Sequence, residues 1–340
     1  MLGLPPLPRT LGAALRDITS KKPEVRGDAI RDLVRHAEDS RAPVIRALEG
    51  ALRDADPRVR ALAATALSDT DAKEALAALL VTVEDEDAHV RQMAISALGE
   101  IGDPRAGERL RRALSDPRPE VRFQAVIAFP RVVARKDDAL DAVLEATSDA
   151  DPLVAHIAIR MTEEIAGGDT PDTRVVARAR ELLSHDAPSV RLAAAILLAH
   201  AGERSGLAII EKAAAGELRS DDGEDEAAAI ELAGKLGLEG ARKGLARRAF
   251  GGVLGLRRDR FQWHARVALA SMGDERAIRD IVGELGSWDR QRRTLAVAAA
   301  GRAKITAARE VIAAMRDAPD RADPDAVEEA LDAIDARPAR

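Results

Sequence analysis

The sequence predicts an all-α fold, a right-handed α-α superhelix of about nine two-helix repeats with capping helices at its ends. Three observations carry this reading: a short motif returns at a nearly constant period, apolar residues follow each copy at helical spacing, and the apolar supply is almost free of rings. Of 340 residues 46% are hydrophobic, yet only four are Phe, two are Trp and none is Tyr. Ala, Leu, Val and Ile must fill the interior. That suits stacked helix pairs, whose core is one side chain deep per layer, better than a broad core built on large aromatic side chains.

The motif reads Pro23-Glu24-Val25-Arg26, Asp56-Pro57-Arg58-Val59-Arg60, Asp87-Ala88-His89-Val90-Arg91 and Asp116-Pro117-Arg118-Pro119-Glu120-Val121-Arg122, then Asp151-Pro152-Leu153-Val154 and Asp186-Ala187-Pro188-Ser189-Val190-Arg191. From Val to Val the steps are 34, 31, 31, 33 and 36 residues, room for two short helices and two turns. Asp suits the N-cap because its carboxylate accepts from the free N–H groups of the first turn, and Pro just inside has its φ preset and no N–H to lose. After the Val, spacing such as Val90, Ala94, Ala97, Leu98 and Ile101 puts one apolar stripe on a helix. That first helix stops at Gly102-Asp103-Pro104, and the second ends near Leu114. The stop recurs as Gly202-Glu203 and Gly273-Asp274, and Arg105-Ala106 returns as Arg276-Ala277.

These signals read the chain, 1–340, as a single solenoid without a natural two-domain cut. Residues 1–22 form an N-terminal cap with a helix from Thr10 to Ile18, and 23–200 are regular repeats. Residues 201–316 are degenerate repeats, with helix pairs over 224–248, 258–285 and 287–316, and 323–340 form a C-terminal cap with a helix from Asp323 to Asp335. Terminal repeats are expected to be atypical because their outer faces meet water.

The absence of Cys excludes disulfides, thiolate metal sites and cysteine nucleophiles. No apolar run approaches a membrane span, and the opening MLGLPPLPRT lacks the regions of a signal peptide. The expectation is a cytoplasmic protein without a membrane role.

The motif Asp-Pro-x-Val-Arg, followed by Ala-x-x-Ala-Leu, Gly-x-x-Gly-Asp and Arg-Ala, resembles the HEAT-like repeats of the E–Z type described in phycobilin lyases. The likeness runs through most of residues 20–316 and is clearest over 56–122. It implies the solenoid fold, while such repeats serve enzymes, regulators and scaffolds alike. HEAT-like di-iron hydroxylases carry His-Glu pairs as metal ligands, whereas here the six His precede Ala37, Val90, Ile157, Asp186, Ala201 and Ala265. A bilin-lyase-like role transfers no identifiable chromophore-binding residue. A DNA-glycosylase-like role needs aromatic residues around a flipped base, and this chain has six Phe and Trp in all.

The recurring Arg26, Arg60, Arg91, Arg122 and Arg191 suggest a binding ladder, but the stronger reading is structural: a guanidinium fork joining the capping Asp or helix-end carbonyls of an adjacent repeat. Ala155 and Gln262 break the series. Neither a catalytic triad spacing, a phosphate loop nor a metal-ligand spacing stands out, so catalytic, cofactor-binding and metal residues are expected to be none. Glu163-Glu164 and Asp137-Asp138 read as solvated helix faces and caps. The stretch from Asp221 to Glu226 lacks the alternation of a calcium loop and reads as an exposed acidic turn before a helix.

Charge is the departure. Residues 241–304 carry 15 Lys and Arg against 6 Asp and Glu, whereas the rest of the chain carries 37 against 52. Such a basic segment in an acidic chain can recruit an acidic protein surface or nucleic acid. It also holds Phe250, Phe261, Trp263 and Trp288, and a stretch from Gly251 to Arg258 that reads as an inserted loop. Aligning Gly273 with Gly102 puts Phe261 in the core at the position of Val90 and Trp263 at that of Gln92, while Trp288 falls in a turn. The candidate partner-binding residues are Arg257, Arg258, Arg260, Trp263, Trp288, Arg290 and Arg292, since Trp and Arg carry much of the energy at interfaces. The expected function is a non-enzymatic scaffold or adaptor for a protein partner with an acidic surface. The alternatives are nucleic-acid binding through 241–304, with salt-dependent affinity, and a HEAT-like enzyme. A further question is whether residues 221–226 mask the basic segment.

Overall fold

The computed structural model describes residues 8–167, 172–220, 222–251 and 259–336, and among them all regular structure is helical. The chain forms two compact units, Met1–Asp169 and Thr170–Arg340. The first holds α1 (Leu11–Asp17), the pairs α2 (Pro23–Val34) with α3 (Arg41–Ala51), α4 (Pro57–Asp69) with α5 (Leu76–Thr82), α6 (Ala88–Ile101) with α7 (Gly107–Ala113) and α8 (Pro119–Val132) with α9 (Lys136–Ala146), and then α10 (Pro152–Ala166). The second holds α11 (Thr173–Leu182), the pairs α12 (Pro188–His200) with α13 (Leu207–Ala214), α14 (Gly223–Lys235) with α15 (Arg242–Phe250), α16 (Gln262–Ser271) with α17 (Glu275–Glu284) and α18 (Arg290–Arg302) with α19 (Arg309–Ala313), and a closing α20 (Pro324–Asp335). Counted along the chain, the described helices from α2 to α19 make nine pairs, with α1 and α20 outside them.

Aspartate side chains cap several of the helices. Asp56, Asp87, Asp151, Asp222, Asp289 and Asp323 each accept a backbone N–H of the first turn of α4, α6, α10, α14, α18 and α20. Two starts differ. Helix α8 begins at Pro119 behind Arg118, and α12 at Pro188 behind Ala187, so neither Asp116 nor Asp186 is the N-cap. In both places the later Pro sets the first helical φ, and Asp116 accepts the Arg118 N–H from outside the helix. Gly102, Gly202 and Gly273 take φ of 69°, 79° and 80° at the stops, a left-handed conformation that costs glycine little.

The core of the first unit includes Ile30, Leu33, Leu48, Leu67, Ile95, Leu98, Leu110 and Phe129, and that of the second Leu192, Ile210, Phe261, Leu269, Ile281 and Ile312. The recurring Val59, Val90, Val121, Val154 and Val190 are all buried. First helices of successive repeats approach closely through small residues: a Cβ on Gly99 of α6 would sit 2.7 Å from that of Ala128 on α8, and one on Gly234 of α14 would sit 2.6 Å from the Ala268 Cα on α16. Among the described residues no helix is long and apolar enough to cross a membrane.

Candidate functional site

The recurring arginines of the first unit are occupied by structure. Arg26 grips the Asp54 carboxylate with Nε and Nη2 at 2.6 and 2.5 Å, and Arg60 grips Asp85 at 2.8 Å through both nitrogens. Arg91 does the same with Asp116 at 2.8 and 2.9 Å, and Arg122 with Asp149 at 2.7 Å twice. Each fork reaches a carboxylate one repeat ahead. The remaining Nη1 turns back to the carbonyl six residues earlier, that of Ser20, Asp54, Asp85 and Asp116 at 2.8 to 2.9 Å. Asp54, Asp85 and Asp116 therefore each take one arginine on the carboxylate and the next on the carbonyl, making a continuous relay from Arg26 to Asp149.

The relay carboxylates also accept a backbone N–H two residues on, from Asp56, Asp87, Arg118 and Asp151. At Asp54 and Asp149 burial pushes the carboxyl upward, but the arginine fork and that N–H outweigh it and hold both below the usual carboxylate value. The hydrogen bonds to Asp raise Arg26, Arg60, Arg91 and Arg122 against the opposing effect of burial. These guanidinia join repeats. The carboxylate they choose lies two residues ahead of the cap position, not on the capping Asp.

Most other cations of the first unit are also matched. Arg41 pairs with Glu74, Arg58 with Asp56, Arg105 with Asp103, Arg109 with Glu84 and Arg131 with Glu100. Asp56 and Asp103 are lowered to about 2, chiefly by the hydrogen bonds from Arg58 and Arg105.

The basic segment is built differently. Among the described residues Lys243, Arg276, Arg292, Arg302 and Lys304 meet no carboxylate. Arg247 ends on the Ala215 carbonyl, Arg290 on those of Pro319 and Ala322, and Arg293 on those of Ser287 and Arg321. A carbonyl satisfies the donor but leaves the charge unneutralised. Arg276 instead stacks over Phe250 with its guanidinium carbon 4.0 Å from the ring centre.

The candidate residues fall into two groups. Arg257 and Arg258 lie outside the described residues. At the start of α16, Arg260 and the buried Arg248 from α15 flank the Phe261 ring at 4.5 and 5.0 Å, and both bind Glu226 of α14, at 2.9 and 2.7 Å. Arg248 also donates to the carbonyls of Ala213 and Ala214. Its Nε lies 3.2 Å from Asp259 Oδ2 but is not aligned for a hydrogen bond. Phe261 is core, and Trp263 is half-buried against the same core. At the start of α18, Trp288 is 92% exposed in the turn ahead of the capping Asp289, and Arg290 and Arg292 are exposed.

Sequence reasoning missed Arg248, Glu226 and Leu295. Glu226 stood inside the noted acidic stretch, but only the packing of α14 on α15 and α16 brings it to both arginines. That contact neutralises the α16 end of the basic segment, while no contact of this kind covers Arg292.

Residues 45–130 match the family model described as HEAT repeats. Among solved structures, importin beta is similar with a TM-score of 0.53 at 15% identity, over 95% of this chain and 50% of that one. The complex of CpcE and CpcF of phycocyanin lyase from Nostoc sp. PCC7120 gives 0.39 at 20% identity, over 82% and 94%. Human deoxyhypusine hydroxylase gives 0.33 at 20% identity, over 95% of each chain. No curated protein matches. The importin likeness and the helix order agree on one conclusion: the fold is an all-α, helix-pair solenoid, with HEAT repeats matched over residues 45–130.

Proposed function

We propose that this chain is a non-enzymatic, cytoplasmic scaffold that docks a protein partner with an acidic surface through residues 241–304. The observation that supports the reading most is the set of cations in that segment without a carboxylate, beside a first unit in which most cations have one. Positive charge left unneutralised at a surface steers and holds acidic partners. The same charge fits phosphate, so nucleic-acid binding is the second reading.

The test is affinity capture from nuclease-treated lysate of the source cells, comparing wild type with a chain carrying Lys243→Glu, Arg276→Glu, Arg302→Glu and Lys304→Glu, its helicity checked by circular dichroism. The expected result is a discrete protein retained by the wild type and lost by the variant. Equal capture by both chains would remove the segment as the docking surface. Retention of nucleic acid alone, in a parallel run without nuclease, would replace this reading by the second.

A further inference from the structure

Resting on that reading, we infer that the start of α18, with Trp288, Arg292 and Leu295, docks an acidic amphipathic helix of the partner. The argument begins with register. Arg293 donates to the carbonyl six residues back, that of Ser287, as Arg60 does to Asp54. Arg292 therefore stands where Val59, Val90, Val121, Val154 and Val190 are buried, and Leu295 where Leu62 and Met93 are half-buried. The motif's apolar contact is absent here. Arg292 is exposed, Leu295 is 51% exposed and Trp288 is 92% exposed.

Single exposed apolar residues are ordinary. These two large ones, however, lie four residues before and three residues after Arg292, whose guanidinium meets no carboxylate among the described residues. Helix α18 also has no acidic residue of its own: Arg290, Arg292 and Arg293 crowd its first turn and Arg302 ends it, with only the capping Asp289 ahead. The positive end of the helix dipole adds to that field.

Charge complementarity therefore selects an acidic partner, and the apolar pair selects its form. An amphipathic helix presents Leu or Phe side chains at successive turns, with carboxylates beside them. Its apolar residues cover Trp288 and Leu295 while a carboxylate takes the Arg292 fork. A phosphate backbone would use the charge but leave Leu295 uncovered.

The probe is a fluorescein-labelled helical peptide of Leu and Glu at amphipathic spacing, beside its Leu/Lys counterpart and oligo-dT. The full chain carries Trp263→Phe, so that emission reports Trp288 alone. The expected result is saturable binding of the Leu/Glu peptide with a blue shift of Trp288 emission. Arg292→Glu and Trp288→Ala should each weaken binding at least about tenfold, as loss of an interface hot spot does, and neither should alter helicity. The inference is overturned if Trp288 emission does not move with the Leu/Glu peptide, if binding survives Arg292→Glu, or if oligo-dT binds more tightly. A partner captured from lysate together with no peptide response would reject this face while leaving the scaffold reading intact. Peptide binding here with equal capture by the two lysate chains would do the reverse.

Discussion

Arg60 in the first unit and Arg293 in the second make the same backward bond, to the carbonyls of Asp54 and Ser287 at 2.9 and 2.6 Å, and then diverge. Arg60 grips the Asp85 carboxylate of the next repeat, whereas Arg293 meets the Arg321 carbonyl. The acceptor two residues ahead of the cap is Ser20 and then Asp54, Asp85, Asp116 or Asp149 in the first unit, and His185, Ser220, Asp259 or Ser287 in the second, where Asp259 is the one carboxylate among them. One backbone geometry thus accepts an ionic or a neutral acceptor. The first choice neutralises each arginine inside the fold; the second leaves net positive charge for something outside it.

The comparison is sharpened most by Glu226, where the second unit does bury an ionic cluster. Glu226→Leu takes the 2.7 Å carboxylate from Arg248, 7% exposed, and leaves it the longer Asp259 contacts at 3.2 and 3.4 Å, so the expected cost is about 3 kcal/mol, the low end for breaking a buried pair. Hydrogen exchange should show the loss in α14 to α16. Adding Arg248→Met should restore much of it, because an apolar replacement of the whole pair is close to neutral.

A smaller effect is expected in the relay. Asp85→Ala should cost about 2–3 kcal/mol by removing two charge-assisted bonds from a nearly buried guanidinium, with exchange rising in α4 and α6. Ser287→Ala, its neutral counterpart, should cost about 1 kcal/mol or less. Equal costs in chemical denaturation would end the distinction between ionic and neutral joints.

The smallest effect is one of pH. Asp54 and Asp149 titrate lower in the fold than their unperturbed 3.8, so their contribution is fully present above that value and is lost as pH falls through the lowered one. Stability of the first unit should therefore decline on acidification below about pH 4. Asp54→Asn should flatten part of that decline in a series of denaturation curves at stepped pH. An unchanged slope would mean that Asp54 titrates alike folded and unfolded.

Much of the fold was legible because its rules are local. Asp caps, Pro at the first helical position and Gly at the stops act within a few residues, which is why Gly102, Leu114 and the last three helix pairs fall where the pattern puts them. The starts of α8 and α12 escaped because two prolines or a displaced one compete for the first turn. The site was less legible. Arg60 finds Asp85 across 25 residues, and Glu226 finds Arg248 across 22 and Arg260 across 34, distances over which sequence carries no direct signal. The exposure of Leu295, 51% on α18, carries no signal in the sequence. Trp263, aligned with Gln92 on a first helix, is half-buried against core, and Trp288, placed in a turn, is almost free.

The relay has a direction. Each repeat of the first unit offers a fork on one side and a carboxylate on the other, so its two faces fit each other and not themselves, as in any head-to-tail assembly. Contact of that kind has no intrinsic end. It stops only where the residues change: at Ser20, which stands where a carboxylate would open the row, and at Ala155, which stands where the next arginine would follow Asp149. A copied repeat inserted anywhere between these stops would find both of its partners already in place. The number of repeats is therefore something that duplication and deletion of the gene can alter without inventing a new joint.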